Sequence, residues 1–245
     1  MNKALISADD FEFVAKFIRD EAAIILDQGK EYLVHTRLEP VAKSLGFIDV
    51  GKLLQELRSK KDKELSKVIV ESLTTHETSF FRDKTPFDVL RQHILPTLIH
   101  QLKDSQQLTI WCGAASSGQE PYSLCITLRE FFPELASWKI SILATDISTA
   151  ILQKAKLGKY TQFEVNRGLP INYLVKYFNK VDQEWQLKPD IIGMVNFFEQ
   201  NLLDSYHKIG QVDLVMMRNV LIYFDPKTKK DILSKIRGVL KPNGY

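Results

Sequence analysis

The apolar run Leu108-Thr-Ile-Trp-Cys112 opens directly into the six small residues Gly113 to Gly118, and Gln119–Phe132 then takes up helical periodicity. A short apolar run, a small-residue turn and an amphipathic helix constrain the chain to strand–loop–helix units, which build parallel sheets covered by helices. The rhythm continues. Lys139–Thr145 reads as a second strand ending at Asp146, and Thr149–Leu157 reads as a helix. Asn196–Phe198 closes a third apolar run and Val212–Met217 is a fourth. Pro226–Leu240 is a helix with Asp225 as its cap and Pro226 in its first turn. The fold class is therefore α/β. Residues 159–195 break the rhythm with short polar-apolar stretches such as Trp185–Leu187 and read as a small inserted subdomain.

Upstream of residue 76 no strand pattern occurs. Phe11, Val14, Ala15 and Ile18 recur with helical spacing, as do Leu38, Val41, Ala42 and Leu45, with Gly46 as a stop. Leu53, Leu54 and Leu57 follow, then Leu65–Leu73. The expected organisation is a helical domain over 1–75, a junction over 76–84 and an α/β domain over 85–245. With 33 Lys plus Arg against 30 Asp plus Glu, the net charge of +3 is too balanced for a nucleic-acid binder. The two cysteines make no disulfide framework, and no apolar run reaches transmembrane length, so a cytoplasmic protein is expected. The scattered histidines match no zinc spacing, and no metal is expected.

Four motifs carry polar chemistry. The loop Gly113–Gly118 with Glu120 falls where open parallel sheets bind ligands, outside the carboxyl end of a strand. Its spacing is not G-x-G-x-x-G, which argues against a dinucleotide. Ser117 and Glu120 also fit a plain capping box. Asp146, at the end of the second strand, suits the two hydroxyls of a ribose, or a helix cap. Arg218-Asn219-Val-Leu-Ile-Tyr223-Phe-Asp225 delivers a polar pair at the end of a buried strand, either to a ligand or to a structural network. Thr74-Thr-His76-Glu-Thr78-Ser-Phe-Phe-Arg82-Asp lies at the domain junction, where Thr74 and Glu77 form a second candidate capping box.

The strings TTHETSFFRD, ASSGQEPYSL, ATDIS, QNLLD and MMRNVLIYFD resemble, in order and spacing, those of the chemotaxis receptor glutamate O-methyltransferases of the CheR type. That resemblance implies a helical N-terminal domain followed by a class I S-adenosylmethionine (SAM) methyltransferase domain, Rossmann-like, with an inserted β-subdomain. It implies transfer of the SAM methyl group to glutamate side chains on chemoreceptor cytoplasmic signalling helices, leaving S-adenosylhomocysteine (SAH). By the same pattern Thr78, Arg82 and the residue at His76 lie beside the cofactor, and Glu120 meets its methionine part or the loop holding it. Asp146 holds the ribose, Asn201 and Leu202 border the adenine, and Arg218 and Asn219 line the site. Arg82 and Tyr223 are the catalytic residues, Tyr223 facing the substrate. No nucleic-acid partner and no membrane insertion are implied, and a monomer is expected.

This chain departs from the family pattern at three places. His76 stands where the family has Asn. The chain stops at the turn into a fifth strand, so the family's C-terminal strands are missing and the fourth strand is expected to be an unpaired edge. The stretch Asn179–Trp185 lacks the glycines with which some members grip a receptor pentapeptide, so that tether is not expected. Lys30, Arg37 and Lys43, with Arg58, Lys60, Lys61, Lys63 and Lys67, would complement acidic receptor helices, or form an ordinary solvated surface. The alternatives are a SAM- or SAH-binding or receptor-binding module without turnover, and a SAM methyltransferase with another protein substrate.

Overall fold

In the computed structural model, which describes residues 6–60 and 62–245, the chain divides into two compact units. One comprises residues up to Thr75 together with Leu221–Lys230, the other His76–Val220 together with Asp231–Tyr245.

The first unit is built from α1 (Ala8–Ala22), α2 (Glu31–Ser44), α3 (Val50–Ser59) and α4 (Lys63–Leu73). Ser7, Asp49 and Asp62 cap α1, α3 and α4, each side chain accepting a backbone N–H of the first turn. Phe11, Val14 and Ile18 of α1 are buried, with Leu53 and Leu54 of α3 and Ile69 of α4. On α2 the buried stripe is Val34, Leu38 and Ala42, not the expected run to Leu45, which is exposed. The helix stops at Ser44, and Gly46 takes a left-handed φ of 79°.

Arg37, expected to face a partner, is committed to structure. One of its nitrogens donates to the carbonyls of Leu73 (2.6 Å) and Thr74 (2.9 Å), and the other to Thr75 Oγ1 (3.1 Å). It thus satisfies carbonyls that the end of α4 leaves without helical partners, a charge-assisted contribution of about 1.5–3 kcal/mol. Lys43 pairs with Glu39, Lys60 with Glu56, and Arg58 with Asp10 while lying 4.5 Å from the centre of the Phe13 ring. Lys61 of the same basic set lies outside the described residues.

The second unit begins with α5 (Thr85–Val89), which runs through a π-turn (Leu90–Ile94) into α6 (Leu95–Leu102). Four parallel strands follow: β1 (Gln107–Gly113), β2 (Lys139–Asp146), β6 (Val195–Glu199) and β7 (Leu214–Met216), in the order β6-β2-β1-β7. Leu108, Ile110, Trp111 and Cys112 of β1 are all buried, as expected of a strand covered on both faces. Its crossover helices include α7 (Gln119–Phe131) and α8 (Thr149–Leu157). Because β1 is flanked by β2 on one side and β7 on the other, the chain order reverses beside it, and ligand crevices open at such switch points.

The interrupting segment contains β3 (Lys159–Thr161), α9 (Gln162–Asn166), α10 (Ile171–Tyr177), β4 (Phe178–Val181), β5 (Glu184–Leu187) and α11 (Pro189–Ile192). Its strands form a separate antiparallel sheet in the order β3-β5-β4. The last helix is α12 (Pro226–Val239). The outer edge of β7 is not bare as expected. Tyr245 donates to the Asp213 carbonyl (3.0 Å) and accepts from the Val215 N–H (2.8 Å), and Val212 bridges Leu240 in parallel.

Candidate active site

The site grows from the head of β1. Between Cys112 and α7 the chain turns through Ala114 (φ 55°), Ser116 (φ 50°) and Gly118 (φ 92°), left-handed positions that are costly outside glycine and cluster at functional sites. At Gly118 an added Cβ would lie 3.0–3.2 Å from Tyr122, Ala155 and Tyr160, so the turn needs glycine both for its φ and for its contacts. Neighbouring elements fasten the loop. Ala115 N–H donates to the Thr145 carbonyl (2.8 Å), Ser116 N–H to Asp146 Oδ2 (2.9 Å), and Tyr160 OH to the Ser117 carbonyl (2.8 Å).

This arrangement overturns the first capping box. Gly118 is the N-cap of α7 and supplies no side-chain bond; Ser117 Oγ donates to Gln119 Oε1, and Glu120 turns to Arg218. The second box is absent too. Thr74 closes α4, its hydroxyl donating to the Glu71 carbonyl (2.7 Å), and no helix starts at the next residue.

Asp146 is buried at the end of β2, with one oxygen on Ser116 N–H and the other on Ser148 N–H (3.1 Å). It does not cap α8; Ser148 does. Burial raises its pKa, opposed by the Ser148 N–H, by His76 and by the Ser116 N–H. His76 Nδ1 lies 4.0 Å from Asp146 Oδ1, and the His76 carbonyl accepts from Ser116 Oγ at 2.7 Å. Gln200 N–H donates to the Asp146 carbonyl (3.0 Å), so Asn201 and Leu202 begin beside the same strand end. Asn201 Oδ1 then accepts from Leu203 N–H (3.0 Å), and the carbonyl of buried Leu202 accepts from Tyr206 OH (2.9 Å).

A second cluster centres on Arg218, just beyond β7. Its guanidinium donates to Glu120 Oε2 (2.8 Å), to the Arg82 carbonyl (2.7 Å) and to Asp83 Oδ2 (3.0 Å), and lies 5.7 Å from the centre of the Phe87 ring. Burial raises the Glu120 pKa, with Arg218 the main opposing influence. Arg82 in turn pairs with Glu77 (2.8 Å) and donates to its carbonyl (3.0 Å). Half-buried Thr78 lies between His76 and Arg82 in the same segment, and exposed Asn219 takes a φ of 55° beside Arg218.

The sequence-predicted residues thus fall into two connected sets, His76–Asp146–Asn201–Leu202 and Arg82–Glu120–Arg218, joined by the junction segment that carries Thr78. Tyr223 belongs to the first unit, in the 3-10 turn Leu221–Tyr223, where its carbonyl accepts from Ile25 N–H (3.3 Å). Three contributors escaped the sequence reading: Ser116, whose hydroxyl and N–H tie the loop to His76 and Asp146; Asp83 on Arg218; and Arg167, whose guanidinium bonds Glu77. The Arg167-Gly168-Leu-Pro170 string inside the insertion was the available signal for the last.

The family model described as CheR methyltransferase, SAM binding domain, matches residues 76–245, and that described as CheR methyltransferase, all-alpha domain, matches residues 9–74. Chemotaxis protein methyltransferase 1 of Pseudomonas aeruginosa is 42% identical over 240 residues, covering 96% of this chain and 87% of that protein. A chemotaxis protein methyltransferase of Vibrio parahaemolyticus is 35% identical, covering 100% of this chain and 89% of its own length. Among the described residues no helix is long and apolar enough to cross a membrane. With both of its units matched and relatives aligned over nearly their whole length, this chain belongs to the CheR family of SAM-binding chemotaxis methyltransferases.

Proposed function

We propose that this chain methylates glutamate side chains on the cytoplasmic signalling helices of chemoreceptors, using SAM and releasing SAH, with Arg82 and Tyr223 at the reacting groups. The residues present suit the cofactor. SAM offers a carboxylate, an ammonium, a ribose diol and an adenine. Arg218 supplies a cation and Glu120 an anion for the first two, while Arg82 lies beside them. Asp146 suits the diol, because its two oxygens are held apart by the separate N–H groups of Ser116 and Ser148 and a carboxylate is an acceptor with about four lone-pair sites. Asn201 and Leu202 offer a polar and an apolar edge to the adenine, and His76, Thr78 and Asn219 complete the lining.

When bound, SAM supplies a sulfonium methyl whose C–S bond breaks as the acceptor's O–C bond forms, the electron pair leaving on sulfur. A glutamate acceptor is already ionised at neutral pH, its ordinary pKa being about 4.3, so no general base is required. The enzyme's task is alignment and exclusion of water, effects of about 7–11 kcal/mol in well-oriented systems. Arg82 positions the acceptor and Tyr223 orients its carboxylate; for Tyr223 the support is the sequence motif alone.

The observation that supports this reading most is the Ser116–Asp146 bond, which fixes a diol-accepting carboxylate against the glycine loop. Calorimetric titration tests it. SAH is expected to bind and NAD not to bind, and Asp146→Ala is expected to weaken SAH by at least about tenfold through loss of charge-assisted bonds. Comparable binding of NAD, or an Asp146→Ala protein that binds SAH as the wild type does, would overturn it.

A further inference from the structure

Glu77 carries two guanidinium groups from different parts of the second unit. Its Oε2 meets Arg82 at 2.8 Å, and its Oε1 accepts from Arg167, which follows α9 in the insertion. We propose that Glu77 is a displaceable stand-in for the acceptor carboxylate, and that Arg82 and Arg167 together receive the acceptor glutamate once Glu77 swings away, a role that rests on the methyl-transfer reading above.

Three observations converge. First, the pairings differ in accessibility. The Glu120 side chain on Arg218 is only 14% exposed, whereas that of Glu77 is 44% exposed and Arg167 is 42% exposed. A buried pair is costly to open, while a solvent-facing pair is held by little net energy and exchanges readily. Second, both arginines keep their places without the Glu77 carboxylate. Arg82 still donates to the Glu77 backbone carbonyl (3.0 Å), and its own carbonyl is held by Arg218 (2.7 Å). Arg167 lies 5.8 Å from the centre of the Phe163 ring and precedes Gly168, where φ is 89° and an added Cβ would stand 2.0 Å from the Phe80 carbonyl oxygen. The insertion's backbone is thereby pinned against the junction segment.

Third, the local charges balance. Arg82, Arg167 and Arg218 face Glu77, Asp83 and Glu120. An incoming carboxylate adds an unpaired anion unless one of these leaves. Glu120 is largely withdrawn from solvent and pairs with Arg218, and Asp83 pairs with Arg218 rather than with Arg82 or Arg167. Only exchange with Glu77 gives an acceptor carboxylate the same two partners at unchanged charge. Arg167, chiefly, holds the Glu77 carboxyl below its ordinary pKa, so both exchanging groups are anions at neutral pH.

The test is the sign of two substitutions. The full chain and its Glu77→Gln and Arg167→Ala variants are loaded with SAH, whose own affinity is measured first and is expected to stay within about twofold. Each is then titrated with a receptor peptide bearing a methyl-accepting glutamate. Removing the competitor in Glu77→Gln is expected to tighten the peptide about threefold, and removing one receiving cation in Arg167→Ala to weaken it about tenfold, with partial recovery in Arg167→Lys. A merely structural Glu77 would weaken the peptide when replaced, so weaker binding by Glu77→Gln overturns the proposal. So does unchanged binding by Arg167→Ala. Wild-type protein that binds SAH but methylates no receptor glutamate would instead remove the underlying functional reading.

Discussion

Arg82→Ala is expected to lower kcat for receptor methylation about 100-fold, the scale of a misaligned reacting pair, while SAH affinity falls no more than about threefold. The asymmetry follows from the chemistry. The acceptor is already an anion, so nothing need be deprotonated, and a cation beside it stabilises the charged ground state more than a transition state in which that charge is being lost. What Arg82 adds is direction. Its guanidinium is held through Nη1 by the Glu77 carbonyl at 3.0 Å, a bond that does not depend on the Glu77 carboxylate. Its backbone is fixed through the Arg218 bond to its carbonyl and through the Phe81 N–H on Ser123 Oγ (3.0 Å). Single-turnover kinetics and SAH titration check the split; equal losses in both would contradict a positioning role.

Arg218→Ala is expected to destabilise the protein by about 3–5 kcal/mol at neutral pH, because it leaves the Glu120 charge buried without its partner. The effect has a pH signature. Burial already raises the folded-state pKa of Glu120 above its unfolded value, and Arg218 is the main influence pulling it back. For an acid with a raised folded pKa, the native state holds more protons between the unfolded and folded values, so stability falls as pH rises through that window. Removing Arg218 raises the folded value further and extends the window upward. Denaturant unfolding should therefore show a smaller deficit near pH 5 than near pH 8, and Glu120→Gln added to Arg218→Ala should recover much of it. A deficit independent of pH would contradict the assignment.

The framework was legible because its signals are local. Leu108–Cys112, Lys139–Thr145 and Thr149–Leu157 are runs whose apolar pattern matches how they are buried, and β1, β2 and α8 lie within a residue or two of them. The interrupting segment betrayed itself by losing that rhythm. The pattern Ser/Thr-x-x-Glu offers capping boxes at two places where none forms, because it does not reveal φ. At Gly118 the left-handed turn takes the cap position, and at Thr74 the residue ends one helix instead of starting another. Partnerships across long stretches of chain were not legible at all. Arg37 reads as a surface cation until its bonds to Leu73 and Thr74 are seen, and nothing near Arg167 in the sequence points to Glu77, 90 residues away. Asp146 and Arg218 stand out in the sequence because a polar group at the end of a buried strand is anomalous there.

Incubating the chain with receptor cytoplasmic fragments and SAM labelled in its methyl group tests the central claim most directly. The predicted result is label on receptor glutamates that alkali releases as methanol, since a methyl ester hydrolyses where an N-methyl group does not, and loss of that label in Arg82→Ala. Alkali-stable label, or no label from protein that binds SAH, would contradict the account.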